Sequence, residues 1–371
     1  MKHIAWASLW FCLLSGLCVR LRADALDFWT LRNSGTTNHL FGVGYGNSRF
    51  IATGTNGTVL TSPDGTVWTA RNSGNTNDLN SVTFGNGTFV AVGDSGTILT
   101  SPDGATWTPR TSGFASSFHH VTYANGIFLA VGYGGTISTS SNAVVWTNRV
   151  AGFTNSLHAV AYASGKYVVA GFHGALATSS NAITWTTRNS GVTVTLYAIA
   201  YGNGAFLAMG NGGVMIASPD GVAWTGRTSS SIDTLRGTLY LNGEFVVSGF
   251  RGTILTSHDG ILWTNRTSGT LESLRAVAVG TSNLVTVGNR GTILESGTVS
   301  PVLVNPLRSA NALTFSFTSV NGVVYAIDYK NLLTATNWTF LRNVTGTGGI
   351  ISVSETNPPS AQRFYRARIP N

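Results

Sequence analysis

Seven residues set 39 positions apart carry the most chemistry in this chain of 371 residues: Phe41, Asn80, His119, His158, Tyr197, Arg236 and Arg275, each just after a repeated Leu or Phe. A second variable set follows 14 positions further on: Thr55-Asn56, Asp94-Ser95, Tyr133-Gly134, Phe172-His173, Asn211-Gly212, Phe250-Arg251 and Asn289-Arg290. Aromatics, imidazoles and guanidiniums are poor choices for turn making alone. Guanidinium forks suit carboxylate, sulfate or phosphate. Four of them, Arg236, Arg251, Arg275 and Arg290, fall in the last two copies, while His119, Tyr133, His158, His173 and Tyr197 fall in the middle three. Together with Phe41 and Asn80 they form the expected ligand-binding set, and its expected partner is anionic, an acidic polysaccharide or a protein segment.

Other chemistries fit the residues less well. A two-carboxylate glycosidase mechanism has little to draw on, with glutamates only at 244, 272, 295 and 355. The arginine triad and Tyr-Glu pair of a sialidase are not evident, so no catalytic residue is assigned, and a sialidase-like hydrolase stands as the competing reading. His119-His120, His158 and His173 match no zinc spacing, and glycine-rich phosphate loops need a following helix. The expectation is therefore no metal and no cofactor.

The elements that must hold these residues follow from the repeat. Tryptophans stand at 29, 68, 107, 146, 185, 224 and 263, each 39 residues after the last and each followed three positions on by Arg. A period of this length with short apolar runs marks repeated supersecondary units. In one unit LNSVTFG and TFVAVG flank Asn86-Gly87, the preferred pair of a two-residue hairpin. Asp94-Ser95-Gly96 then leads into TILTS, and SPDG turns the chain into ATWTPR. Four short antiparallel strands in such a unit describe a propeller blade. Six units run complete from Leu40 to Trp263 and the seventh, Leu274 to Ser296, supplies three strands. The missing outer strand is Phe28 to Arg32, which would pair the open edge. The predicted fold is all-β: a seven-bladed β-propeller over 26–299, closed three plus one by the N-terminal strand, followed by a small C-terminal β-sandwich over 300–371.

The turn segments SPDGTVW, SPDGATW, SPDGVAW and SHDGILW, with the degenerate SSNAVVW and SSNAITW, resemble the Asp-box of bacterial-neuraminidase-type repeats, one residue shorter. With the 39-residue unit, the chain is similar to the photosystem II assembly and stability factor-like group of propellers. That resemblance implies a propeller fold and the binding of a polypeptide during assembly of a membrane complex. Asp64, Asp103, Asp220 and Asp259 have a structural part in this scheme, because Asp in a tight turn accepts backbone N–H bonds and Asn142 or Asn181 can do the same. The Trp series is read as core, and the Arg series at Trp+3 as a repeated structural bond or a solvated outer edge.

The ends bear on location. Residues 1–25 begin with Lys2 and His3, continue uncharged from Ile4 to Val19 and reach Ala23-Asp24-Ala25, which reads as a cleaved secretory signal peptide. Arg20 and Arg22 are atypical there, and an uncleaved anchor is the alternative. Cys12 and Cys18 both lie in this segment, so no disulfide is expected in the mature chain. The expectation is a monomer, secreted, periplasmic or at a bacterial cell surface, with no transmembrane segment after cleavage. Residues 26–299 carry 13 basic and 11 acidic residues, so the basic balance comes largely from the tail and excludes a nucleic-acid-binding body. The tail segments YAIDY, NWTFL and RFYRARIP resemble C-terminal β-modules of secreted bacterial proteins.

Overall fold

The computed structural model describes residues 25–27, 29–297, 304–308, 312–319, 324–331, 337–346, 350–356 and 364–368. The expected signal segment lies outside them except for Ala25, as do both cysteines and Phe28. Among the described residues the regular structure is β-strand with eight single-turn 3-10 segments, and no helix is long and apolar enough to cross a membrane.

Seven four-stranded antiparallel sheets form the main body. In one of them Leu79–Gly85, Thr88–Gly93, Ile98–Ser101 and Thr108–Arg110 pair in chain order. The first hairpin turns on Asn86 (φ 45) and Gly87 (φ 72), the two left-handed residues that a type I′ turn requires. The first strand of each sheet lies against that of the next. The last of them, Leu274–Val279, returns to Leu40–Gly46, so the seven first strands form a closed cycle. Apolar side chains fill the spaces between sheets: Leu129 and Val131 of one pack with Leu157, Val160 and Val169 of the next. The approach is close enough to need glycine, since a Cβ on Gly85 would lie 2.0 Å from the ring of Tyr123.

The last sheet takes its outer strand from the other end of the chain. Trp29–Arg32 pairs antiparallel with Ile293–Ser296, in the register Trp29 opposite Ser296 and Arg32 opposite Ile293. Arg32 bonds Glu295 at 2.6 Å, Asp27 pairs with Arg266 of the preceding sheet, and Leu26 is buried against Leu274, Leu284 and Leu294. An edge that would template foreign strands is covered, and the two ends of the ring are tied together.

The turn before the outer strand of each of the first six sheets is held by one side chain. Oδ1 of Asp103 accepts from Ser101 Oγ (3.0 Å) and from the N–H groups of Ala105 (2.9 Å) and Thr106 (3.0 Å), and Trp107 donates to the Gly104 carbonyl at 3.1 Å. The N–H groups of Thr106 and Ala105 hold the Asp103 carboxyl below the usual range. Asn142 accepts from Val144 and Val145 at 2.9 Å in the same way without a charge. This bonding shortens the strand predicted from ATWTPR to Thr108–Arg110, because Ala105 and Thr106 give their N–H groups to the turn. The arginines at Trp+3 make a repeated bond: Nε of Arg71, Arg110, Arg149, Arg188 and Arg266 reaches a Thr hydroxyl on the third strand at 2.8–3.0 Å. Arg227 breaks the series and is exposed, because Ala217 stands where the others have Thr.

The tail forms two three-stranded antiparallel sheets. Val304–Arg308, Ala312–Thr318 and Ile350–Thr356 make one, and Thr339–Thr345, Val324–Lys330 and Phe364–Arg368 make the other. Phe315, Phe317 and Val353 of the first share one apolar cluster with Tyr325, Ile327 and Ala367 of the second.

Candidate functional site

Each first strand carries a β-bulge near its start, and the extra residue is in turn Phe41, Asn80, His119, His158, Tyr197, Arg236 and Arg275. A bulged residue has no partner opposite, so its side chain is re-aimed out of the pleat. All seven are half-buried, and all line one cavity of about 440 Å³ enclosed by the seven first strands. The bulge also lets consecutive residues share that cavity, as His119 and His120 do, where strict alternation would send them to opposite faces.

The planar side chains lean on one another around the wall. His119 and His158 stack at 4.6 Å, His158 and Tyr197 meet at 5.0 Å, and Arg236 lies 4.1 Å over the Tyr197 ring. Arg275 lies 5.0 Å from the centre of Phe41. Their faces are thus largely used by one another, and their edges are left for polar contacts. His119 Nδ1 lies 2.9 Å from the Leu157 carbonyl, which can only accept, so that nitrogen carries a proton. Asn80 donates to Asp94 and to the Phe118 carbonyl, both at 2.9 Å, and Arg275 Nε donates to Asn289 at 2.8 Å.

Charge is unbalanced here. Arg236 and Arg275 sit in one cavity whose lining contains no carboxylate. Burial, and then repulsion from Arg236, bring Arg275 down to about 10, and burial lowers Arg236 as well. Burial also lowers His158 to about 4, with His119 and Arg236 opposing a further charge, and burial alone takes His120 to about 4. Two desolvated cations beside neutral imidazoles are costly without an anion and well placed to receive one.

The other expected site residues lie on the loops between second and third strands, outside the cavity lining. Arg251 is paired with Asp233 and Arg290 with Glu272, and both remain largely exposed, at 65% and 77%. Tyr133 is 63% exposed, and His173 stacks on Phe172 at 4.0 Å. His173, Arg251 and Arg290 hold left-handed backbone (φ 51 to 53) where the sister loops have Gly134 and Gly212, a position that favours glycine. The four arginines therefore divide into an inner pair and an outer pair. Asp64, Asp103, Asp220 and Asp259 bond within their own turns, away from the cavity.

Among the lining residues outside the expected set, His120 and Thr238 break the pattern of their sister positions. The repeat held the signal. The sister positions of His120 are Gly42, Ser81, Ala159, Ala198, Gly237 and Ala276, all small, and those of Thr238 are Val43, Val82, Val121, Val160, Ile199 and Val277, all aliphatic.

No protein-family model matches the chain, and no curated protein matches it. Solved structures do. YCF48 bound to D1 peptide superposes with a TM-score of 0.63 at 18% identity, covering 74% of this chain and 97% of that one. YCF48 from Cyanidioschyzon merolae gives 0.60 at 17%, covering 72% and 98%. The WD40 β-propeller domain of Doa1 gives 0.60 at 16%, covering 73% and 97%. At these identities the likeness is one of fold, and the fold is a β-propeller.

Proposed function

We propose that the seven sheets are the blades of one closed propeller, with Asp-box-like turns on one face and a C-terminal β-sandwich module, exported by its N-terminal segment. The propeller is a non-catalytic binding protein that takes an anionic group of its partner into the cavity at the start of the first strands. The observation that carries this reading is the pair Arg236 and Arg275, half-buried in one cavity without a carboxylate. An entering anion would restore the missing charge, and forked donors orient it. Two-carboxylate hydrolysis has no support in that lining, which offers no acid or base of the required kind.

A second reading, capture of an acidic polypeptide segment, is favoured by the likeness to YCF48 bound to D1 peptide and by exposed Tyr133 and Phe172 on the same side of the sheets as the cavity mouth. Under it the partner could be a subunit of a complex being assembled. Calorimetric titration of the purified protein with acidic oligosaccharides and acidic peptides, at low and high salt, tests the shared claim. Salt-sensitive binding that disappears in Arg236→Ala supports it. Binding indifferent to both cavity arginines overturns it.

A further inference from the structure

Resting on the anion-binding reading, a finer property of the cavity concerns the charge and shape of the group it receives. Sister side chains on neighbouring first strands meet around the wall, His119 and His158 at 4.6 Å and His158 and Tyr197 at 5.0 Å. Arg236 and Arg275 hold the same position on the next two strands, Leu235–Leu241 and Leu274–Val279, which pack on one another, and their charges repel. Rings fix both guanidiniums: Arg236 has Tyr197 at 4.1 Å and Phe250 at 5.1 Å, and Arg275 has Phe41 at 5.0 Å. Neither Nε is open to a ligand. That of Arg236 is buried, and that of Arg275 donates to Asn289 at 2.8 Å. Arg236 also bonds the Tyr197 side chain, so the terminal amino groups of the two forks are what a ligand can meet.

The carboxylates nearby are spoken for. Asp94 accepts from Asn80, Asp233 and Glu272 pair with Arg251 and Arg290, and all three lie outside the lining. A single carboxylate entering the cavity would bring one charge and two oxygens, and half of the cationic charge would stay desolvated and unopposed, which is costly. A sulfate monoester has more oxygens but again one charge. A phosphate monoester carries about −1.5 to −2 near pH 7 and three strong acceptor oxygens, enough for a fork on either side. The cavity, about 440 Å³, falls within the range of small-molecule sites, about 300–1,000 Å³, and leaves room for a group that bears the phosphate. We propose that the cavity receives a phosphate dianion, as a monoester or as the free ion, bridged between Arg236 and Arg275.

The test compares ions of matched shape and different charge. Methyl phosphate, methyl sulfate, acetate, malonate and inorganic phosphate are titrated by calorimetry at about pH 7.5, where the phosphates are mainly dianions. The titrations use the purified protein and its Arg236→Asn and Arg275→Asn variants, which copy the sister residue Asn80 and so should fold, with circular dichroism as the check. Methyl phosphate should bind about tenfold or more tightly than methyl sulfate or acetate, the effect of a second charge-assisted fork. In either variant that preference should shrink to about threefold or less, because one fork matches one charge. Inorganic phosphate that binds as tightly as methyl phosphate supports the free ion as the source, and weaker binding supports an ester. Equal binding of methyl phosphate and methyl sulfate, malonate as tight as methyl phosphate, or a preference kept by both variants while their affinity falls overturns the phosphate assignment and leaves the anion site standing. Failure of every probe, or wild-type affinity for all of them in both variants, overturns the anion site itself.

Discussion

The two faces of the ring of sheets are made from one 39-residue unit, yet they obey different rules. On the face of the Asp turns six copies repeat the same bonds: a Ser hydroxyl and backbone N–H groups on Asp or Asn, and usually a Trp indole on the carbonyl of the next residue. On the other face the backbone repeats, with the same bulge and the same single 3-10 turn, while side chains at those positions differ from copy to copy. The first face satisfies most of its polar groups internally, the Trp185 and Trp263 indoles being exceptions. The second places two half-buried guanidiniums in a cavity whose lining has no carboxylate. Repetition with internal satisfaction marks what the fold needs, and variation with unmet demand marks where a ligand belongs.

The comparison depends on the ring being closed, so the largest effect should come from opening it. Deleting residues 26–33 removes the strand paired with Ile293–Ser296, the Arg32–Glu295 bond and buried Leu26. The melting temperature followed by circular dichroism should fall by about 10 °C or more. An unchanged melt would mean that the seventh sheet holds without its fourth strand.

Next come the inner and outer arginines. Removing one charged fork from a bound anion costs about 1.5–3 kcal/mol, roughly tenfold or more in affinity. Arg236→Ala and Arg275→Ala should each lose that much without a fall in melting temperature, since each also removes a desolvated charge. Arg110→Ala, which loses only a bond to Thr100, should bind as before. Loss of binding in Arg110→Ala with free tolerance of the inner pair would move the site to the outer strands.

Acid should act on the variable face first. His120 and His158 are held at about 4 when folded against an ordinary 6.5, so the unfolded chain takes up protons more readily. Their contribution is complete above about pH 6.5 and is lost as pH falls toward 4, up to about 2 kcal/mol for each at pH 5. Urea midpoints measured from pH 7 to 4.5 should decline, and His158→Gln should flatten the decline. A flat wild-type profile would contradict the burial of the two imidazoles.

The smallest effects are expected among the Asp turns. Asp103→Asn should change stability by less than about 0.5 kcal/mol, because Asn142 and Asn181 already serve, whereas Asp103→Ala should cost about 1 kcal/mol in urea unfolding. Equal costs for both would show that charge, rather than the accepted bonds, holds the turn.

Much of the fold could be read from spacing. The Asn86-Gly87 hairpin, the four strands of each unit and the pairing of the N-terminal strand with Ile293–Ser296 follow from period and turn chemistry, which act over a few residues or repeat identically. The column Phe41 to Arg275 was also visible, because repeats that agree elsewhere disagree there. His120 was not selected, since strict alternation assigns neighbours to opposite faces and cannot represent the extra residue of a bulge. Residue type and place in the last two copies group Arg251 and Arg290 with Arg236 and Arg275, but their acids, Asp233 and Glu272, stand 18 positions before them and meet them only in the folded loops.

The sequence by itself determined an all-β chain of repeated four-strand units, the turns that separate them and the strand that completes the last. Those properties rest on local backbone preferences and on a period that needs no knowledge of distance. Only the tertiary structure decided that residues up to 234 positions apart, Phe41 and Arg275 among them, face one cavity, that two arginines enter it while two stay outside, and that His120 and Thr238 join its lining. Closing seven sheets into a cycle converts one position per repeat into a contiguous wall, and burial within that wall turns ordinary side chains into unmatched charges and donors.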